Sequence, residues 1–184
     1  VWRGPMLHRA VQQFLSDVFW GDLDVLLLDL PPGTGDVTIS VAQLLPNAEI
    51  LVVTTPQTAA AEVAERTGLI ATQTNQKVVG VIENMSYMPQ ADGSRLEIFG
   101  SGGGRRVSDS LTRTLGYEVP LLAQLPLDIR LREGSDGGVP TTVSEGGRPA
   151  ADAPAALELA GVASRLSHRS RGLAGRRLSL KVAT

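Results

Sequence analysis

One stretch of the chain, Asp24-Val-Leu-Leu-Leu-Asp-Leu-Pro-Pro-Gly-Thr-Gly-Asp36, restricts the fold more than any other. Its apolar run ends in a carboxylate, Asp29, a pattern typical of a strand buried on both faces in a parallel sheet. The prolines and glycines of residues 31–35 then favour an irregular loop, because proline cannot donate a ladder hydrogen bond and glycine weakens a strand. We therefore predict a strand over residues 24–29, with Asp29 at the carboxyl edge of the sheet, where open α/β folds bind ligands.

The carboxylate of Asp29 has two interpretations. It can cap the turn that follows, or it can orient Mg²⁺ or a metal-bound water, because hard cations prefer oxygen ligands and a strand fixes the direction of a side chain. The glycines beyond it would allow backbone N–H groups to approach a terminal phosphate. For the apolar run and its carboxylate alone, the turn-cap interpretation is favoured, because such patterns are common.

Segments of helical and strand spacing alternate along the rest of the chain. Helices are predicted over residues 5–19, 37–45, 55–75, 104–116 and 150–166, and strands over residues 49–55, 77–84 and 119–125. We expect the apolar face of the first helix to pack on the sheet. The alternation predicts an α/β fold, a mostly parallel sheet with helices on both faces and right-handed connections.

Residues 87–104 interrupt this alternation. Asp92-Gly93 lies between two short segments and predicts a hairpin turn. The glycine cluster of residues 100–104 either binds phosphate or forms a hinge or helix entry. The second interpretation is favoured, because the cluster follows no buried strand and lacks the Lys-Ser or Lys-Thr ending of a P-loop.

Composition limits the partners of the chain. The 184 residues suit one domain, and there is no cysteine to form a disulfide or a thiolate metal site. Six of the seventeen basic residues follow Glu158, which leaves eleven against nineteen acids in the body, so nucleic acid is not expected to bind the folded part. No run reaches the about 18 apolar residues of a membrane span and no signal peptide is evident, so a cytoplasmic location is expected.

The whole string from Asp24 to Asp36 resembles the Walker B and switch II segment of the Mrp/ApbC group of P-loop ATPases, which are relatives of MinD and ParA and are known for carrying iron–sulfur clusters. The resemblance continues through Thr54-Thr-Pro-Gln57 and Gly80-Val-Ile-Glu-Asn-Met-Ser86 to Pro126-Leu-Asp128. It implies a P-loop NTPase fold that binds and hydrolyses ATP with Mg²⁺, and it implies a homodimer.

The resemblance also implies roles for individual residues. Asp29 would help to organise Mg²⁺, Gly33 would be the switch glycine, and Asp36 would end the loop that senses the γ-phosphate. Asn84 would recognise adenine, for which a carboxamide offers both a donor and an acceptor. From the residues alone, however, the slightly favoured interpretation is that Asn84 bonds its own turn. Pro126 and Asp128 would lie on the other side of the purine.

Two features of the family are missing from this sequence. No glycine cluster precedes Lys-Ser or Lys-Thr, so the P-loop and its strand are not found. In this branch that strand lies beside the Walker B strand, so an open apolar sheet edge is expected. The cysteine pair of many members is also lacking, and its place is taken by the predicted hairpin of residues 87–99. His8 and His168 lie outside this segment and are expected at the surface.

We therefore interpret residues 1–166 as the carboxyl-terminal part of a P-loop ATPase domain and residues 167–184 as a basic, disordered tail. The leading hypothesis is an ATP-hydrolysing iron–sulfur cluster carrier of the Mrp type, represented without its P-loop. The alternatives are a MinD/ParA-like partitioning ATPase whose tail touches membrane or nucleoid, and a non-catalytic scaffold.

Overall fold

The computed structural model describes residues 3–30, 36–57, 60–142 and 153–168. Within these residues the helices and strands are α1 (Arg3–Asp17), α2 (Asp36–Leu44), β1 (Ile50–Thr54), α3 (Ala60–Thr74), β2 (Val78–Glu83), β3 (Met88–Pro89), β4 (Arg95–Leu96), α4 (Gly103–Leu115), β5 (Leu121–Gln124), α5 (Ile129–Asp136) and α6 (Pro154–Ser167). No helix in this part of the chain is long and apolar enough to cross a membrane.

The main sheet is parallel and has the described strand order β1-β2-β5. Helices α3 and α4 pack on one face, where Val81 of β2 meets Val107 and Leu111 of α4. Helix α6 packs on the other face, where the next residue of β2, Ile82, lies in a cluster with Val162 of α6. Successive strand residues point to opposite faces, so β2 contributes to both cores. The predicted α/β architecture is confirmed.

The predicted hairpin is also present. Strands β3 and β4 are antiparallel, and Gly93 adopts a positive φ of 84° in the turn between them. The Asp92 carboxylate accepts hydrogen bonds from the hydroxyl and the backbone N–H of Ser94, and these bonds lower its pKa. An acidic side chain and a glycine thus define the turn, as their spacing predicts.

The prediction of a strand over residues 24–29 is wrong. Residues 25–30 form no strand in the described structure, and their side chains are exposed, Leu27 by 79%. A strand needs a neighbour to accept and donate its backbone hydrogen bonds, and this run has no strand partner among the described residues. The apolar pattern specifies burial, but a second strand must be present for the run to pair.

Two further expectations need correction. Helix α1 forms where predicted, but it packs mainly against α2 instead of the sheet, and Phe14 on its apolar face is exposed. Helix α3 begins at Ala60 and not at Thr55-Pro56, because Pro56 is fully buried beneath the start of α4. The start of α3 therefore depends on a tertiary contact, which a local capping pattern cannot predict.

Candidate nucleotide site

The carboxyl ends of β1, β2 and β5 meet at one edge of the sheet, as they must in a parallel arrangement. Main-chain hydrogen bonds continue past the strand ends. The N–H of Asn84 donates to the carbonyl of Thr54 at 2.7 Å, and the N–H of Ser86 donates to the carbonyl of Leu125 at 2.8 Å. The loops that follow the three strands are therefore held side by side.

The loop after β2 and the loop after β5 are the two segments predicted to enclose a purine. The N–H of Leu127 donates to the carbonyl of Tyr87 at 2.7 Å, so the two loops run alongside each other. Pro126, in the second of these loops, is fully buried. The structure thus brings Asn84 and Pro126 into adjacent loops, although they are far apart in sequence.

Asn84 takes part in its own turn. Its Oδ1 accepts the backbone N–H of Met85 at 2.9 Å, and Met85 has a positive φ of 55°. The side chain is half-buried. The local interpretation of Asn84 is therefore correct, and adenine recognition by the rest of its amide stays a prediction.

Asp128 joins two helices. One carboxylate oxygen accepts the N–H of Arg130 at 3.0 Å and caps the start of α5, while the other accepts the N–H of Ala155 at 3.4 Å near the start of α6. A carboxylate is favoured at both positions because the first backbone N–H groups of a helix lack intrahelical acceptors. These contacts orient the segment after Pro126, and a direct role of Asp128 at the purine stays a prediction.

The three residues predicted to act on the phosphate side are less completely described. Asp29 is exposed, and its carboxylate makes no hydrogen bond or ion pair with the described residues. Asp36 is the first residue of α2, and Gly33 lies outside the described residues. No group of three or more His, Asp or Glu side chains in the described structure could hold a metal ion. The catalytic roles of all three residues stay predictions.

Glu83 is the site residue that the sequence reasoning missed. It ends β2 with only 1% of its surface exposed, and its carboxylate accepts the N–H of Gly104 and the Nε2 of Gln124, the latter at 2.7 Å. It therefore occupies the N-terminus of α4, which favours a negative charge. The sequence signal that could have identified Glu83 is a glutamate at the end of an otherwise apolar strand.

The glycine cluster before α4 serves close packing. Gly102 has a positive φ of 75°, and a Cβ on Gly103 would lie 2.2 Å from the carbonyl oxygen of Thr55. The guanidinium of Arg106 also donates to the carbonyl of Pro56 at 3.0 Å. The helix-entry interpretation of this cluster is confirmed, and its first turn braces the loop after β1.

Comparison with known proteins agrees with this architecture. Residues 1–160 match the ParA family described as NUBPL iron-transfer P-loop NTPase. The chain belongs to this family. Its P-loop NTPase fold agrees with that of the nucleotide-binding protein from Archaeoglobus fulgidus in complex with ADP, with a TM-score of 0.61 and 36% identity over 72% of this chain and 53% of that one.

Two curated relatives of this NUBPL-type chain share a description. The iron–sulfur cluster carrier protein of Mycobacterium leprae is 62% identical over 98% of this chain and 46% of its own length. The iron–sulfur cluster carrier protein of a Synechocystis strain is 46% identical over 79% of this chain and 40% of its own length. The chain thus spans less than half the length of these relatives.

Proposed function

We propose that this chain is the base-binding and switch portion of an ATP-hydrolysing iron–sulfur cluster carrier. The observation that supports this most is its 62% identity, over 98% of its length, to a protein described as an iron–sulfur cluster carrier. The adjacent loops that contain Asn84 and Pro126 support a nucleotide site at the carboxyl edge of the sheet.

In this proposal, the loops after β2 and β5 hold the adenine, and Asn84 presents amide groups to the edge of the base. The exposed carboxylate of Asp29 suits Mg²⁺, which typically takes one or two carboxylates and completes its shell with water and substrate phosphates. Bound there, the ion would neutralise charge on the phosphate oxygens. Water attacks the γ-phosphorus in line, the bond to the bridging oxygen breaks, and ADP and phosphate leave.

The proposed roles of Gly33 and Asp36 are to let the loop before α2 change conformation between the ATP and ADP states. The remaining proposals concern assembly and cargo: a homodimer, a cytoplasmic location and an iron–sulfur cluster as the substrate that is carried. Because this sequence contains no cysteine, thiolate ligands for the cluster would come from other polypeptide segments.

The test is ATP turnover by a polypeptide of the relatives' full length, compared with this 184-residue chain alone. We expect turnover only in the longer protein. Asp29→Ala in that protein should reduce turnover by about 100-fold or more while its circular dichroism is unchanged, since positioning and charge stabilisation supply most of the catalysis. Asp24→Ala is a control at the other end of the same run. Unchanged turnover in Asp29→Ala would remove Asp29 from the mechanism.

A further inference from the structure

A cavity of about 260 Å³ lies at the side of the sheet. It is lined by residues 121–124 of β5, Tyr87 and Arg95 of the hairpin, Arg105 of α4, and Glu158 and Arg165 of α6. Four consecutive residues of one strand line it, although their side chains alternate between the two faces of the sheet. The cavity therefore opens onto the edge of β5, and through Tyr87 it also reaches the loop after β2.

The charge of this cavity is strongly positive. Three arginines, all with exposed side chains, and one acid, Glu158, are among the residues that line it. Such an excess is notable here because acids outnumber bases in the body of the chain. Three arginines on three separate elements border this one cavity, and each can offer N–H donors to an anionic ligand.

Two of the arginines are held in place by neighbours. The guanidinium carbon of Arg95 lies over the Tyr87 ring, 4.1 Å from its centre, in a cation–π contact. Arg165 donates from one nitrogen to the carbonyl of Leu122 at 2.7 Å, and its remaining nitrogens can still donate. Neither side chain needs to lose much conformational freedom when it binds a ligand.

Arg105 is the third arginine. Its guanidinium makes no hydrogen bond or ion pair with the part of the chain that the structure describes. It lies on α4 about two turns before Arg113, which is also exposed but does not line the cavity. A guanidinium fork matches two oxygens of a phosphate or carboxylate, and the fixed charge excess suits a group that carries about two negative charges.

We propose that this cavity binds a phosphate group. The group is either a free small-molecule phosphate or a phosphate carried by a side chain of a partner protein. Arg95, Arg105 and Arg165 donate to its oxygens, and the volume leaves room for a small attached group. The cavity shares the loop after β2 with the proposed nucleotide site, but none of its three arginines is proposed to hold nucleotide, and the proposal does not rest on ATP binding.

The experiment is titration of the 184-residue chain with inorganic phosphate, without nucleotide, followed by isothermal calorimetry and by NMR shifts of backbone amides. We expect saturable binding that weakens at high salt, with the largest shifts at residues 121–124. Arg105→Ala and, separately, Arg95→Ala should each weaken binding by about tenfold. The matched control Arg113→Ala should leave it unchanged.

A second arm replaces inorganic phosphate with a phosphoserine peptide and with its unphosphorylated form. Tighter binding of the phosphopeptide, lost in Arg105→Ala, would support a partner-borne phosphate, whereas equal or weaker binding would support a free one. No saturable binding of either probe, or equal losses in Arg105→Ala and Arg113→Ala, would overturn the proposal. Circular dichroism verifies folding, and Arg95→Ala decides the outcome if Arg105→Ala does not fold.

Discussion

Replacing Gly103 by alanine tests whether the glycine cluster exists for close packing. The added Cβ would lie 2.2 Å from the carbonyl oxygen of Thr55 and 2.7 Å from backbone atoms of Pro56. Ordinary contact requires about 1 Å more than the shorter distance, so the start of α4 must move. Both obstacles are backbone atoms, and they cannot rotate away as a side chain would.

Two effects contribute to the expected decrease in the free energy of unfolding of Gly103→Ala. Forced overpacking costs about 1–3 kcal/mol. Movement of the helix also stretches the bond from the N–H of Gly104 to the buried carboxylate of Glu83, a charge-assisted bond worth about 1.5–3 kcal/mol when intact. Partial loss of both predicts a decrease of about 3 kcal/mol in the free energy of unfolding.

Gly161→Ala is the matched control. Gly161 lies inside α6, and a Cβ there would meet nothing within 4 Å. Alanine is the better helix former by about 1 kcal/mol, so this variant should be slightly more stable.

The assay is urea unfolding of the chain, followed by far-ultraviolet circular dichroism at low protein concentration. With a denaturant slope of about 2 kcal/mol/M, Gly103→Ala should lower the midpoint by about 1.5 M, and Gly161→Ala should raise it by up to about 0.5 M. Equal midpoints for the two variants would refute the packing argument.

Substitutions at Glu83 and Asn84 test the roles of these residues at the carboxyl end of β2. Glu83→Ala should lower the free energy of unfolding by about 3 kcal/mol, because it removes the acceptor of two buried hydrogen bonds. Glu83→Gln keeps the shape of the side chain and can form both hydrogen bonds again if Gln124 turns its amide. It should therefore lower the free energy of unfolding by less than about 1 kcal/mol in the same urea assay. In a polypeptide of the relatives' full length, Asn84→Ala should weaken ATP binding by about tenfold and reduce the preference for ATP over GTP. Both effects are measured by calorimetry. The control is Asn47→Ala, which replaces an exposed loop residue. Equal losses for both nucleotides would show that Asn84 does not recognise the base.

Sequence reasoning succeeded where a pattern leaves few structural alternatives. The hairpin turn at Asp92-Gly93 and the start of α4 after Gly102 were predictable because a positive φ strongly favours glycine. The parallel strands β1, β2 and β5 were predictable because apolar runs separated by helix-length segments leave few alternatives.

The wrong or missing predictions concern interactions with residues that are distant in the sequence, which a local pattern does not identify. Residues 24–29 have the composition of a buried strand, but they form none in the described structure, where no strand lies beside them. The role of Glu83 was missed because its two donors, Gly104 and Gln124, come from distant parts of the chain.

The sequence by itself determined most element types after residue 36, the parallel arrangement of the main strands and the family, because periodicity, turn residues and motif strings lie within short windows of the chain. Only the tertiary structure decided which apolar faces are covered, why α4 begins with glycines, and how three arginines from separate elements surround one cavity. The physical reason is that burial and electrostatic convergence depend on residues far apart in the chain, whose distances are set by packing.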